Sequence, residues 1–192
     1  MKPLGSYFPK REFLSPPLQS NKRLHSINVQ KCAAIRLAEP GDIPALAAIE
    51  DASRPGGNWN AAQVAEELER ERAIVIVDEQ PNGQVAGWIV TWRVPPDELH
   101  VLELAVCPSH RRKGIATSLL LAALNKQHRE EATTLVLLEV RASNEGAISM
   151  YEKAGFIAVG RRRKFYSDGE DAILMNCDLN SVPTTNVLNS QV

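Results

Sequence analysis

The sequence contains few cysteines and no long apolar run. Its three cysteines, Cys32, Cys107 and Cys177, lie far apart in the chain, so their spacing indicates neither a zinc site nor a disulfide framework. This cysteine content suits the reducing cytosol, and we expect a cytoplasmic protein. The apolar stretches are much shorter than the ~20 residues of a membrane-spanning helix. The first residues contain no apolar signal core, so we expect neither a membrane protein nor a secreted one.

Net charge is also nearly absent, but the charges are unevenly distributed. The total is −1; residues 1–32 contain six Lys or Arg and one Asp or Glu, a balance of +5, whereas residues 33–192 contain sixteen and twenty-two, a balance of −6. The acidic part suits a basic peptide substrate and argues against a broad, specific nucleic-acid surface. No Ser-His-Asp arrangement is apparent among the four scattered histidines, which are His25, His100, His110 and His128.

Length and composition predict one globular domain with two flexible ends. The chain has 192 residues, of which 44% are hydrophobic and 23% charged, which is ordinary for a soluble domain with a single core. Residues 1–32 are rich in Pro, Ser, Asn and basic residues, and we interpret them as a flexible basic arm. The arm is a solvated tail, a tether to RNA or the ribosome, or a targeting peptide. We predict one domain over residues 33–179, without internal repeats, and a flexible tail over residues 180–192.

Strand and helix patterns alternate through the domain and predict an α/β (α+β) fold. Strands are predicted over 35–37, 73–78, 85–92, 99–106, 135–140, 156–159 and 172–175, from apolar alternation and β-branched content. Helices are predicted after Asp42, over 61–70, from Gly114 to about residue 129, and after Asn144. Asp42, Asn60 and Asn144 are suitable N-caps, and Gly155 ends the last helix. The strand over 135–140 is apolar throughout, which is typical of a strand covered on both faces.

One stretch combines a strand, a basic turn and a helix. The apolar run Val101–Val106 ends at Cys107-Pro108, and a turn with Arg111, Arg112 and Lys113 leads through Gly114 into an Ala- and Leu-rich helix. A helix N-terminus has unpaired N–H groups and a partial positive charge, so it suits a phosphate group. Gly114 allows the backbone to approach a ligand closely because it has no Cβ. Taken alone, the basic residues are also consistent with a solvated surface turn.

Further motifs make a family resemblance specific. The pattern Arg111-x-x-Gly114-x-Ala116 after a strand is followed by LEVRASN at residues 138–144, by MYEKAGF at residues 150–156 and by EDA at residues 170–172. Over about residues 34–179 the sequence resembles the GNAT family of N-acetyltransferases. Within that family it is most similar to the RimI-like branch, whose members acetylate the N-terminal alanine of the eighteenth protein of the small ribosomal subunit.

The resemblance implies the GNAT fold, a mixed, mostly antiparallel and splayed sheet with helices on both faces. Acetyl-CoA enters the splay as cosubstrate. No metal is needed, because the thioester is already activated. The residues that the resemblance assigns to cofactor binding are Leu104, Ala105, Val106, Arg111, Arg112, Lys113, Gly114, Ile115, Ala116, Thr117 and Asn144.

The resemblance also implies the catalytic residues. An acceptor α-amine titrates near about 7.7–8.0, so most of it is ammonium at neutral pH and must lose a proton before it attacks. Glu139 is implied as the general base and Tyr151 as the general acid for the CoA thiolate, and strand N–H groups near Ala105 and Val106 are available for an oxyanion. Alternatives stay open: Glu139 pairs with Arg141, Tyr151 is a core residue, or Glu103 on the preceding strand is the base.

The sequence departs from the family pattern near the expected peptide site. Cys107 replaces a common Asp, His110 replaces an aromatic residue, and Gly56-Gly57-Asn58 precedes Trp59 where Phe-Pro is usual. Trp59 lines a peptide groove or anchors the core. The expected partner is a protein N-terminus, with the ribosomal alanine terminus as first hypothesis. The alternatives are other N-termini, Lys side chains or small amines, and, in a different class, a ribosome- or RNA-associated binding protein.

Overall fold

A computed structural model describes residues 33–54, 59–131 and 134–180. The predicted arm over residues 1–32 and all but the first residue of the predicted tail over residues 180–192 lie outside the described residues. The part of the predicted peptide-site loop at residues 55–58 lies outside them as well. The predictions for these segments stay predictions.

Seven strands form one sheet in the order β1-β2-β3-β4-β5-β7-β6. Strands β4 and β5 are parallel, and the other neighbouring strands are antiparallel. The prediction of a mixed, mostly antiparallel sheet is therefore confirmed. The bounds are β1 Ala34–Leu37, β2 Ala73–Glu79, β3 Val85–Val94, β4 Glu98–Val106, β5 Leu135–Arg141, β6 Ile157–Arg162 and β7 Ala172–Asp178.

Helices cover both faces of this sheet, as predicted. They are α1 Ile43–Ser53, α2 Ala61–Glu69, α3 Ile115–Glu131 and α4 Glu145–Lys153. One hydrophobic cluster joins α3 and α4 to the sheet, with Leu119, Leu120 and Phe156 among its buried members. A second cluster joins α1 and α2 to the opposite face around Trp88. In the part of the chain that the structure describes, no helix has the length and apolar character needed to cross a bilayer.

Two of the three predicted N-caps act as caps. The Asn60 side chain accepts hydrogen bonds from the N–H groups of Ala62 and Gln63 at 3.0 and 3.1 Å, and the Asn144 side chain accepts one from Ala147 at 3.2 Å. Asp42 precedes α1 but makes no capping bond, so that prediction was wrong. Its carboxylate instead pairs with the Arg36 guanidinium at 2.7 and 2.9 Å, because a charged partner on β1 competes successfully with backbone N–H groups.

The predicted splay lies between the two parallel strands. Strands β4 and β5 pair over only four residues, from Glu98 opposite Leu135 to Val101 opposite Leu138. The register between β3 and β4 shifts at the same point, since Val90 lies opposite Glu103 and Thr91 opposite Val101. An extra residue of this kind is a β-bulge, which bends its strand and ends regular pairing. The carboxyl-terminal halves of β4 and β5 are therefore separate and leave their facing edges open.

The opening changes the environment of β5. The prediction of a strand covered on both faces was wrong for its second half. Leu138 and Val140 are buried in the cluster under α3 and α4, but Glu139 on the opposite face is exposed. Polar Glu139 is tolerated in this apolar strand because the neighbouring strand has already diverged there.

Candidate active site

A cavity of about 1390 Å³ occupies the splay. It extends from the end of α1 and the face of α2, across the open edge of β4, to the basic turn, β5 and α4. Every predicted site residue except Lys113 lines it. The predicted residues brought together are Leu104, Ala105, Val106, Arg111, Arg112, Gly114, Ile115, Ala116, Thr117, Glu139, Asn144 and Tyr151.

The open edge of β4 offers backbone donors to this cavity. The N–H of Cys107 bonds to the carbonyl oxygen of Ala86 on β3 at 2.8 Å. Residues of an antiparallel strand alternate in the direction of their polar groups, so the N–H groups of Leu104 and Val106 face the gap. The amide of Ala105 faces β3. Of the predicted donors near Ala105 and Val106, the N–H of Val106 therefore faces the gap, and its role toward an oxyanion stays a prediction.

The basic turn holds the start of α3 against the end of β4. The Arg111 Nε donates to the carbonyl oxygen of Val106 at 3.2 Å. Arg112 and Gly114 have φ values of 63° and 84°, in the left-handed region that is uncommon for a residue with a Cβ. The N–H of Ser118 bonds to the carbonyl of Gly114, so the N–H groups of residues 115–117 have no partner within the helix. These groups line the cavity and suit an anionic group.

Gly87 on β3 allows this arrangement to pack closely. A Cβ at this position would lie 3.0 Å from the carbonyl oxygen of Ala105 and 3.1 Å from side-chain carbons of Ile115 and Val106. A glycine at this position therefore permits the close approach of β4 and α3. The first turn of α3 thereby rests directly on β3 and β4.

Glu139 lies at the cavity side of β5, beside the opening. Its side chain is 35% exposed and accepts a hydrogen bond from the Arg162 guanidinium at 3.1 Å. Arg141, the alternative partner considered from the sequence, pairs instead with Asp168 and Glu170, each at 2.7 Å. The carboxylate of Glu139 is thus held by one exposed ion pair and stays accessible from the cavity.

Tyr151 is both a core residue and a cavity residue. It is buried, and its ring packs against Phe156 with 5.5 Å between centroids. Burial raises the pKa of the Tyr151 phenol, and the nearby Glu103 and Tyr166 raise it further. The phenol therefore stays protonated at neutral pH and is able to donate a hydrogen bond or a proton into the cavity.

Glu103 on β4 is in a very different environment from Glu139. It is 8% exposed, and its two carboxylate oxygens accept hydrogen bonds from the Arg54 Nη2 at 2.8 and 2.9 Å. The N–H of Leu104 bonds to the same carboxylate at 3.1 Å. Burial raises the pKa of Glu103, and the Arg54 guanidinium opposes that rise.

Sequence reasoning missed several residues of the site. Arg54 and Glu50 are one helical turn apart, an i, i+4 pair that a search for charge pairs on α1 would have found. Tyr166 lines the cavity under the Arg141 guanidinium, which lies 4.0 Å from its ring centroid. Within the described residues, no group of three or more His, Cys, Asp or Glu side chains is placed to hold a metal ion.

Aromatic residues close the far end of the cavity. Trp59 lines the cavity and also packs edge-on against buried Trp88, with 5.8 Å between centroids. Trp59 therefore anchors the core and also lines the cavity, and the peptide groove stays a prediction. Trp92 lines the same end, bonds through its Nε1 to Glu67 and lies beneath the Arg72 guanidinium at 4.0 Å.

Comparisons with known proteins agree with this geometry. The model of the acetyltransferase (GNAT) family matches residues 43–156. An N-alpha-acetyltransferase of Sulfurisphaera tokodaii is 35% identical over 76% of this chain and 92% of its own length. The ribosomal protein bS18-alanine N-acetyltransferase of Escherichia coli K12 is 40% identical over 49% of this chain and 64% of its own length.

A solved structure extends the second likeness. The crystal structure of the ribosomal-protein-S18-alanine N-acetyltransferase from Escherichia coli superposes with a TM-score of 0.68 and 31% identity, over 83% of this chain and 99% of that one. The splayed sheet, the basic turn before α3 and the family match over more than half of the sequence have one explanation: this chain belongs to the acetyltransferase (GNAT) family.

Proposed function

We propose that this protein is a protein N-terminal acetyltransferase. It transfers the acetyl group of acetyl-CoA to the α-amine of an acceptor, with the alanine terminus of ribosomal protein bS18 as the first candidate. The observation that carries this proposal is the single cavity between β4 and β5, which Glu139, Tyr151 and the basic turn all line. The names of the archaeal and bacterial relatives support an N-terminal amine as the acceptor.

The residues of the splay fit acetyl-CoA. The N–H groups of residues 115–117 at the start of α3, together with Arg111 and Arg112, suit the pyrophosphate. Lys113 does not line the cavity, and its predicted role in cofactor binding stays a prediction. The open edge of β4 presents alternating donors and acceptors along which an extended chain with amide groups pairs as a strand would, and Asn144 lies across the gap at the start of α4. Acetyl-CoA supplies an acetyl group activated as a thioester.

Glu139 is proposed as the group that removes the proton from the acceptor. Its carboxylate is accessible from the cavity and is held by Arg162 alone among the contacts that the structure describes for it. A carboxylate with free lone pairs accepts a proton directly or through one water. The Arg162 contact fixes its orientation without burying it. The N–H group of Val106 faces the same gap and is available to a carbonyl oxygen that gains negative charge. The N–H group of Leu104 is already bonded to the Glu103 carboxylate.

Tyr151 is proposed as the proton donor to the departing thiolate. A thiol titrates near about 8.5, so its anion is a good leaving group and needs only a nearby donor. The buried phenol is protonated and lines the cavity from α4, on the side of the cavity that also contains Asn144. Packing against Phe156 fixes the ring and therefore the direction of its hydroxyl.

Two short peptides test the proposed function. One has a free N-terminal alanine and no Lys, and the other has a blocked N-terminus and one Lys. We expect labelled acetyl-CoA to modify the first peptide alone, and the bS18 terminus is then compared with unrelated N-termini. Modification of the second peptide alone would reassign the enzyme to Lys side chains. No transfer to either, with CoA still bound, would overturn the proposed acceptor class.

A further inference from the structure

Three charged side chains form a buried cluster beside the cavity. Arg54 at the end of α1 lies between Glu103 on β4 and Glu50 on α1. Its Nη2 is 2.8 and 2.9 Å from the oxygens of Glu103 but 3.6 Å from the nearer oxygen of Glu50. Glu103 is thus fully paired, and Glu50 is not. The catalytic roles proposed above use neither Glu50 nor Arg54.

Glu50 is a buried carboxyl group without a hydrogen bond. Its side chain is 2% exposed, and neither of its oxygens has a hydrogen-bond partner. A buried polar group in this condition is costly, and an ionised one is costlier still. The nearest available donor is the guanidinium of Arg54, one helical turn further along α1. A small movement of Arg54 toward Glu50 would satisfy this carboxyl group.

Two features of Arg54 fit such a movement. Its side chain is 36% exposed, and it is the C-cap residue that follows the last residue of α1. Arg54 and Glu103 line the cavity, whereas Glu50 lies behind them. Other charged or titratable groups around the cluster are Tyr151, Tyr166, Arg141 and Glu139, as their electrostatic influence on each other shows.

Glu103 lies where an acceptor cation is expected. The N–H of Leu104 bonds to its carboxylate, so Glu103 is adjacent to the part of β4 that faces the gap. Arg54 therefore occupies, with its own positive charge, a carboxylate that lines the cavity beside the open edge of β4. A second cation cannot bind Glu103 fully while Arg54 holds both of its oxygens.

We propose that Arg54 is a movable positioning residue that pairs with Glu103 in the free enzyme and moves to Glu50 when the acceptor ammonium binds Glu103. The inference rests on the proposed function, since it concerns the acceptor of that same site. The exchange keeps Glu103 paired with a cation at every stage and gives Glu50 a partner once the ammonium binds, because breaking a buried pair without replacement is strongly unfavourable. An acetylated terminus carries no charge and cannot hold Glu103, so the return of Arg54 favours product release.

Peptide binding to variants of Arg54 and Glu50 tests this exchange. The probe is the N-terminal alanine peptide without Lys, titrated by calorimetry into enzyme saturated with CoA. Arg54→Gln removes the competing cation, and we expect roughly tenfold tighter binding, the scale of one charge-assisted contact. Glu50→Gln removes the carboxylate to which Arg54 moves, and we expect roughly tenfold weaker peptide binding. The double variant should match Arg54→Gln, because Glu50 acts only through Arg54.

The opposite signs separate this role from a structural one. General damage to the site would weaken binding in both single variants, and that result would overturn the proposal. Arg163→Gln and Glu152→Gln, exposed and outside the cavity, are matched controls and should bind as wild type does. The N-acetylated peptide should show no tightening with Arg54→Gln. If that variant does not fold, Arg54→Met removes the same charge but keeps much of the apolar stem, and it should bind the peptide more tightly than wild type.

The same titrations keep the two proposals apart. A wild-type enzyme that binds the free terminus without acetylating it would overturn the proposed function, and the signs of the variants would still decide on Arg54. Acetylation with equal affinity in all variants would overturn the exchange alone. A wild-type enzyme that neither binds nor acetylates the peptide would overturn both.

Discussion

Two glutamates face the same cavity from opposite sides of the splay, and their environments differ. Glu139 on β5 is 35% exposed and has one exposed partner, Arg162. Glu103 on β4 is 8% exposed and is held by Arg54 and by the N–H of Leu104. A carboxylate needs a free lone pair to accept a proton, whereas a carboxylate surrounded by donors is suited to hold a cation.

The difference arises from the same β-bulge. The register shift turns Glu103 toward α1, where Arg54 and Glu50 enclose it. The divergence of β5 from β4 leaves Glu139 uncovered. One local irregularity in β4 thus produces one buried carboxylate and one open carboxylate across a single gap.

The largest effect on catalysis is expected from removing the carboxylate of Glu139. We expect Glu139→Gln to lower kcat by about 10²- to 10⁴-fold, the range for loss of a general base, while acetyl-CoA binding changes little. Glu103→Gln should mainly raise KM for the acceptor. Steady-state kinetics with the alanine peptide measure both. Glu152→Gln is the matched control, and a larger loss of kcat with Glu103→Gln than with Glu139→Gln would exchange the two assignments.

Glu50, the buried carboxyl group behind Glu103, should make the free energy of unfolding depend on pH. Burial, reinforced by Glu103, raises the pKa of Glu50 from 4.5 to about 7. The folded state therefore binds more protons than the unfolded chain between these values, so the stabilisation is complete below pH 4.5 and is lost as the pH rises through 7. The effect amounts to up to about 3 kcal/mol.

Denaturant unfolding at pH 5 and pH 8 measures that contribution. The free energy of unfolding should fall less between these pH values in Glu50→Gln than in wild type. Carboxyl groups with lowered pKa values, such as Asp42 and Glu170, contribute with the opposite sign but are common to both proteins. An unchanged slope in the variant would show that Glu50 is ionised at neutral pH.

The variant Tyr151→Phe tests whether Tyr151, on α4 after β5, supplies the proton donor. We expect Tyr151→Phe to lower kcat about tenfold or more, with little change in KM, because the ring and its packing against Phe156 are retained. Tyr166→Phe is the matched control, since Tyr166 also lines the cavity but is only half-buried. An equal loss in both variants would indicate a general effect of removing a hydroxyl group from the cavity.

Most of the fold was predictable from the sequence, but only the site residues on β5 and α4 were expected beforehand as a group. Local patterns predicted all seven strands and four helices. The resemblance carried by LEVRASN and MYEKAGF implied Glu139, Asn144 and Tyr151, which are close in sequence. The contact between Arg54 and Glu103 on β4 was harder to predict, because these residues are 49 positions apart and meet only after the sheet forms. Asp42 shows a different limit, since Arg36, only six positions earlier, binds the carboxylate that a cap would have used.

The smallest effect is expected from the exposed partner of Glu139. Arg162 and Glu139 form an ion pair with side chains 55% and 35% exposed, and pairs of this kind contribute about 0–1 kcal/mol to stability. We expect Arg162→Gln to leave the melting temperature nearly unchanged and to lower kcat less than tenfold, since it loosens the orientation of the base without removing it. Raising the salt concentration from low to high should produce a similar change in wild type, because salt screens exposed pairs. A loss of kcat as large as that of Glu139→Gln would mean that Arg162 itself contacts the reacting groups. Arg163→Gln, in the turn directly after β6, is the control that excludes a general effect of charge in this region.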